Sequence, residues 1–498
     1  MGDQRYDVVI IGAGIAGLVC GNYLAKAGLK TLLLEHHDRP GGCCSSFRRN
    51  GFVFDSGAHS LGSCRPGGQF DRVFQELDLR DHITIHRAEP SDTVIAGDLR
   101  VDFGGDTSHM ANELAQHFPS ERDQIHALFR ELDAFDVSVA SSFVSYYLKY
   151  KTATFRDMLD SYLRDETAKA ILCAFLGNVG LASTQVGALP AIAMFKEFVL
   201  DGGYYVKGGM QVFVDFLAEN FKRLGGELRL DTPATKIIVR NSRVEGVEVG
   251  PENVVSSRCA VSTTGPKQTF LRLIGRDVLP GKFTEQVTTL LPSASSLVVY
   301  LGVKGSPVNT QGWGRTVWYA PSQNPDAIYS RVFNGGLDEN AEMLLLAFPS
   351  DVDSSLAPEG HESVYLFTLA SFQNAQFWKE HKAEYYDRIV ARAEELIPGL
   401  RQRIIVNETA TPTALYRYTL NDDGATYGLA STPGQFRTNV MPQETLIDGL
   451  LLASHWTTVG AGQGGTPMAA YAGRKAAYLI LGKDERRPVK TSMAQLIN

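Results

Sequence analysis

Gly12-Ala13-Gly14-Ile15-Ala16-Gly17 is spaced to hold a dinucleotide. The glycines permit a tight turn, close approach of backbone to a pyrophosphate, and close helix–strand packing. Free N–H groups at the start of the following helix then face the phosphate charge. Glu35 lies about 20 residues further on, where a carboxylate accepts ribose hydroxyls and disfavours the extra phosphate of NADP. His36 adjoins it. Gly12, Gly14, Ile15, Ala16, Gly17, Glu35 and His36 are therefore one expected cofactor-binding set. A glycine run in a merely structural turn would not bring strand, helix and acid into register. The same fingerprint serves NAD and FAD, and by itself does not choose between them.

The elements that must position this set are legible. Asp7 to Ile11 is a continuous apolar run behind one acid, as expected of a buried parallel strand. Gly12 ends it, a helix follows to about Ala27, and Gly28 is its stop signal. A second strand, Thr31 to Leu34, ends at Glu35. From Thr107 to Leu200 the pattern is mostly helical, with Phe143, Tyr146, Tyr147 and Tyr150 among its aromatics. Gly202-Gly203 and Gly208-Gly209 bracket a turn-rich passage, and Met210 to Leu224 reads as an amphipathic helix. Leu228 to Val261 reads as a strand meander with hairpin signals near Asn241 and Gly250-Pro251. Val261 to Pro266 is a strand running into a glycine turn. Strands and helices mix between Leu297 and Tyr418. Gly449 to Leu481 gives strand, glycine-rich loop and helix, closed by a charged tail from Lys483. Nucleotide-like features at both ends and in the middle imply a discontinuous cofactor domain.

At 498 residues, two or three lobes are expected. The 44% hydrophobic and 21% charged composition is that of a soluble globular protein. The net charge is −7 and no dense Lys/Arg stripe occurs, so no nucleic-acid partner is expected. The six cysteines (Cys20, Cys43, Cys44, Cys64, Cys173 and Cys259) lack zinc spacing, so no metal site is expected. Their sparseness suggests a reducing compartment. A first strand at about Asp7 leaves no room for a signal peptide, and the cytoplasm is the expected address. Ile171 to Phe195 carries no charged residue, which raises the question of a membrane span. Gly177, Asn178, Gly180, Gln185, Gly187 and Pro190 interrupt it, so two short buried helices joined by a bend are expected. Shallow contact with the inner face of a membrane is left open.

Arg39-Pro40-Gly41-Gly42-Cys43-Cys44-Ser45-Ser46-Phe47 and Gly51-Phe52-Val53-Phe54-Asp55-Ser56-Gly57-Ala58-His59 resemble paired motifs of the glutathione-reductase-type flavoprotein branch. That branch contains the flavin amine oxidases, protoporphyrinogen oxidase and the carotenoid desaturases. Gly202-Gly203, Lys207 to Met210, Gly225 to Leu228 and Pro233-Ala234 look like the middle FAD segment of the phytoene desaturase and carotenoid isomerase family. Gly424 to Gly428, Gly449 to Ala453 and Gly460 to Ala477 are similar to that family too. The resemblance implies FAD as cofactor. It implies an α/β fold: a discontinuous glutathione-reductase-type FAD-binding Rossmann domain, with an α+β substrate domain inserted in two blocks. The FAD domain would take residues 1–105, 205–290 and 440–485, the substrate domain 106–204 and 291–439, and residues 486–498 a C-terminal tail. It adds Gly41, Gly42, Cys43, Ser45, Gly57, Ala58, His59, Ala234, Thr264, Gly265, His455, Gly465, Thr466, Pro467 and Met468 to the cofactor set. The residue at the position of Ala234 would touch adenine through its backbone. Two departures stand out. Ser454-His455 lacks the acid common in the family, and the loop Gly460 to Pro467 is slightly longer than the family pattern.

Protein side chains do not carry a hydride, so the redox step would belong to the flavin. No second fingerprint for a nicotinamide is present, and electrons would pass to or from oxygen, a quinone or a separate reductase. His59 is the candidate catalytic residue by family position, against a purely structural histidine. For His455-Trp456 and for Cys43-Cys44 the competing reading is packing against the cofactor, since adjacent cysteines bridge only with strain. With no cysteine after Cys259, a C-terminal cysteinyl flavin link is excluded. The implied substrate is an extended hydrophobic polyene, carotenoid- or retinoid-like, to be desaturated, saturated or isomerised. The alternatives are a flavin amine oxidase producing hydrogen peroxide, and a non-enzymatic lipid or partner binder related to the Rab GDP-dissociation inhibitors.

Overall fold

The computed structural model describes residues 5–137, 139–250, 253–305, 312–320, 324–437, 440–457 and 465–483. Val8–Ile11 and Thr31–Leu34 lie side by side and parallel, each buried along its whole length. Between them the helix Ile15–Lys26 buries eleven of its twelve residues. A fully buried βαβ unit of this kind needs the continuous apolar strands found here. Glu227–Arg229, Ala260–Ser262 and Leu450–Leu452 complete a five-stranded parallel sheet, in the order 227–229, 31–34, 8–11, 260–262, 450–452. Three separated stretches of chain thus supply one sheet. The helix Thr466–Ile480 packs along Ile15–Lys26, so closely that a Cβ at Gly473 would overlap the Ala16 carbonyl oxygen.

The expected meander is present. Lys236–Arg240, Arg243–Glu248 and Val254–Ser257 form a second sheet that Arg5–Tyr6 joins, one strand ahead of the predicted start. Asn241 and Ser242 both have positive φ at the first hairpin turn, the conformation a two-residue hairpin favours. The passage between Gly203 and Gly208 is more ordered than a turn. Tyr204–Val206 is a strand paired with Ile85–Arg87.

The second lobe is a seven-stranded sheet with a helical block beside it. Its order is Ile404–Ala410, Ser295–Lys304, His361–Ala370, Leu344–Ala347, Thr316–Ala320, Asp92–Ala96, Leu99–Phe103. This corrects one expected boundary. The hairpin 92–103 lies inside the block 1–105 assigned to the cofactor domain, yet it pairs with Thr316–Ala320. Its alternating apolar side chains Val94, Ala96, Val101 and Phe103 belong to the core of the second lobe, a partner that local pattern does not reveal. The uncharged stretch 171–195 folds as expected, into the end of Glu166–Ala174, a bend through residues 175–187 and Ala188–Met194, buried except at Thr184 and Gln185. Among the described residues no helix is long and apolar enough to cross a membrane.

Candidate cofactor site

At the C-terminal edge of the five-stranded sheet the glycines meet their neighbours closely. Gly12 has φ +100°, and a Cβ there would strike Thr263 Oγ1. At Gly17 a Cβ would overlap the Gly12 carbonyl oxygen, so close packing of helix on strand requires that glycine. Gly14 differs: its φ is −72° and nothing among the described residues lies within 4 Å of a Cβ there. The helix it caps has no side-chain cap and no acid in its first turn. Its N–H groups and the positive end of its dipole are thus available to an anion.

The Arg39–Ser45 segment closes over this turn. Gly41 N donates to Ala13 O at 2.9 Å, and a Cβ at Gly42 would lie 3.6 Å from Gly14 Cα. Gly41 (φ +132°) and Gly42 (φ +55°) hold conformations that favour glycine. Ala58 N donates to Cys43 O at 2.8 Å, Ser56 N to Ser45 O at 2.8 Å, and the Ser45 and Ser56 hydroxyls are 2.9 Å apart. The two motif segments are therefore one stitched ribbon. Cys43 and Cys44 are unbridged, and burial raises both thiols above their ordinary pKa. An inert, packed thiol is what that environment makes.

Glu35 stands at the end of its strand and is 5% exposed. It accepts from Ala13 N at 2.8 Å, His37 N at 3.1 Å and His36 Nδ1 at 2.9 Å. Burial pushes its pKa up, but the His36 and backbone hydrogen bonds outweigh this and hold it below the usual carboxylate range. The ionised acid is an acceptor only. Glu35, His36 and His37 offer ligand atoms within 4.8 Å of one another, but these hydrogen bonds already occupy both carboxylate oxygens. His36 Nε2 and Thr466 Oγ1 are buried without a hydrogen-bond partner among the described residues. Such atoms normally find one, and both residues belong to the expected cofactor set.

The remaining expected residues converge less tightly. Thr232 N donates to Glu35 O at 2.8 Å, tethering the segment that carries Ala234 to the acid end of the sheet. Thr263, which the sequence reading passed over, donates its hydroxyl to Ile11 O at 2.9 Å, with Thr264 and Gly265 following. A Cβ at Gly265 would rest on the Trp456 ring. Gly465 caps the last helix with φ +59°, and Thr466, Pro467 and Met468 form its first turn. Most of the preceding loop, residues 458–464, lies outside the described residues.

His59 keeps solvent-accessible surface although it lies deep in the molecule, and so do Tyr427 and His455. The His59 ring stacks on Tyr365 at 5.2 Å, and Arg315 Nη1 donates to its carbonyl at 2.6 Å. Burial lowers the His59 pKa to about 3, with the Arg315 cation adding to the shift. Burial likewise lowers His455 to about 4. Tyr300 and Tyr365 reach across from the second lobe, donating to Ser56 O at 2.5 Å and Gly57 O at 3.3 Å. These tyrosines sit on two long sheet strands, where local pattern marks them only as core.

A pH dependence follows. Both histidines have folded values below the roughly 6.5 of an unfolded chain. As pH falls below that value the unfolded chain binds protons the folded one refuses, and stability drops until pH passes the folded values. Each histidine is expected to cost up to about 1.4 kcal/mol per pH unit in that window. Urea midpoints at pH 7, 6 and 5 measure this, and His59→Gln should flatten the profile. An unchanged slope would refute the assignment.

A glycine cradle at a parallel sheet edge and an ionised acid at the end of the neighbouring strand are the parts of a dinucleotide site. Residues 15–481 match the family described as flavin containing amine oxidoreductase. The chain belongs to that family and is an FAD-dependent oxidoreductase. It is 26% identical to a chloroplastic prolycopene isomerase of Daucus carota, over 98% of this chain and 82% of that one. Identity to an all-trans-retinol 13,14-reductase of Danio rerio is 24%, over 85% of this chain and 78% of that one. Putrescine oxidase, solved with putrescine bound, shares the fold at TM-score 0.67 and 17% identity, covering 96% of this chain and 99% of that one.

Proposed function

We propose that the protein acts on carbon–carbon bonds of an extended hydrophobic polyene, as a desaturase, saturase or cis–trans isomerase. The carrying observation is the joint between lobes. Ser56 to His59 is held by Tyr300 and Tyr365, which also belong to one large apolar cluster running through the helical block. A conjugated chain on such a wall would find aromatic faces. The carotenoid- and retinoid-acting relatives support the same reading.

In this reading the cofactor domain is discontinuous and the substrate domain is inserted in two blocks, with the hairpin 92–103 moved to the latter. FAD, when bound, supplies the acceptance or donation of the electron pair. Gly12 to Gly17 would meet its pyrophosphate and Glu35 its ribose, with His36 alongside. Gly41 to Ser45, Gly57 and Ala58 would cover its phosphates and ribityl chain, and Ala234 its adenine. Thr264, Gly265, His455 and the helix start Gly465 to Met468 would approach the flavin ring. His59, held neutral, would orient substrate and exclude water rather than carry a charge.

The tyrosine wall also favours a second reading, an amine oxidase, since aromatic faces attract cations. Anaerobic mixing of the flavin-loaded protein with polyenes and with amines separates the two. Bleaching of flavin absorbance, or conversion of product, by a polyene is expected. Bleaching by an amine and by no polyene would overturn the proposal.

A further inference from the structure

Asn421 is buried between the helix Pro412–Thr419 and the turn Asp422–Gly424. An amide oxygen only accepts and an amide nitrogen only donates, so the partners of a buried amide fix its orientation. Trp456 Nε1 is a donor only, and it donates to Asn421 Oδ1 at 2.8 Å. The Ala425 carbonyl is an acceptor only, and it accepts from Asn421 Nδ2 at 3.0 Å. Both contacts demand the same orientation. Asn421 Nδ2 also stands 3.4 Å from His455 Nε2, which therefore faces a donor and is the bare, accepting nitrogen of its ring.

A neutral imidazole has one donor and one acceptor, so with Nε2 accepting the proton sits on Nδ1. Burial keeps His455 neutral. Its ring edge rests on Gly428 (φ +73°), where a Cβ would overlap Cδ2, and its carbonyl accepts from Leu429 N at 3.3 Å. Among the described residues Nδ1 meets no hydrogen-bond partner, and the residue keeps accessible surface deep in the molecule. The Asn421 turn belongs to the second lobe. Ser295, at the start of the long strand Ser295–Lys304, donates its hydroxyl to Gly424 O at 2.7 Å, and Thr426 N donates to Ala294 O at 3.1 Å. His455 follows Leu450–Leu452 of the five-stranded sheet. One lobe thus sets the proton position on a ring carried by the other.

We propose that Asn421 is a positioning residue that fixes the proton of His455 on Nδ1, making His455 a neutral hydrogen-bond donor to the flavin half of bound FAD where the family commonly has an acid. A carboxylate there would set an anion beside the cofactor, whereas a neutral donor favours the electron-rich reduced flavin. The proposal rests on the placement of His455 beside the flavin given above, and not on the nature of the substrate. Nitrogen NMR of the flavin-loaded protein with labelled histidine reads both ring nitrogens, with His455 assigned by its loss in His455→Asn. Nε2 is expected to be bare and Nδ1 protonated, and the Nδ1 signal should move on anaerobic reduction of the flavin. Asn421→Asp, whose ionised carboxylate only accepts, should place a proton on Nε2. The flavin midpoint potential is the second readout. His455→Asn keeps a donor in the place of Nδ1 and should stay near the wild-type potential. His455→Asp should lie lower by about 30 mV or more, a tenfold loss of preference for reduced flavin. A protonated Nε2 in the wild type, or a bare one in Asn421→Asp, would overturn the role of Asn421. An unmoved Nδ1 signal, or equal potentials in His455→Asn and His455→Asp, would overturn the donor role. No readout uses polyene or amine turnover, so failure here and failure of the substrate reading are distinguishable.

Discussion

Gly14→Val is expected to yield a folded protein that no longer retains FAD. Among the described residues, chain neighbours aside, no atom lies within 4 Å of a Cβ at Gly14, and its φ of −72° suits any residue. Nothing in the chain itself therefore demands glycine there. The demand comes from the close approach of backbone to pyrophosphate, which a branched side chain blocks. Retention should fall at least about a hundredfold, near 3 kcal/mol, with the apoprotein melting temperature unchanged. Gly17→Ala should do the reverse. Its Cβ would overlap the Gly12 carbonyl oxygen, a backbone atom that does not step aside, so the βαβ unit itself should lose about 3 kcal/mol or more. Flavin remaining after gel filtration, read beside apoprotein melting, separates the two. Stoichiometric flavin in Gly14→Val would refute the cradle.

The second large effect lies where the lobes are locked. Glu197 is 1% exposed, on a π-helical turn, Phe195–Val199, after the buried helices. Arg65 donates to its two oxygens at 2.8 and 3.1 Å and to Asp201 at 3.1 Å, and the Ser63 hydroxyl also donates to Glu197. Arg65→Ala strands a carboxylate in the interior, which costs about 3–5 kcal/mol. Adding Glu197→Gln removes the stranded charge and should recover much of the loss. The Arg65 loop follows directly on Gly57 to His59, so the single variant should also shed flavin as the loop opens. Urea denaturation measures the first effect and bound flavin the second. A loss under about 1 kcal/mol would show that the pair is not the lock.

Local pattern reached far in the cofactor lobe because its signals are local. A buried parallel strand must be apolar along its length, and a turn whose Cβ would strike its neighbours, as at Gly12, must be glycine. Hence Val8–Ile11, the glycine turn and Glu35 were legible within thirty residues. The hairpin 92–103 was misassigned for the opposite reason. Its strands alternate correctly, but an alternating strand says which face is buried and not against which sheet. Tyr300, Tyr365 and Arg315 were missed because each is distant in sequence from the Ser56 to His59 backbone it holds.

The sequence by itself determined that a dinucleotide cradle is built here, since chain geometry at Gly12, Gly17 and Gly41 leaves no other residue type. It also made Glu35 the acid at the end of the second strand. Only the tertiary structure decided that His59 is neutral, because its pKa depends on burial and on Arg315, contributed from 256 residues away. The same holds for Tyr300 and Tyr365, which reach the Ser56 and Gly57 carbonyls only because sheet packing brings strands more than 240 residues away against them.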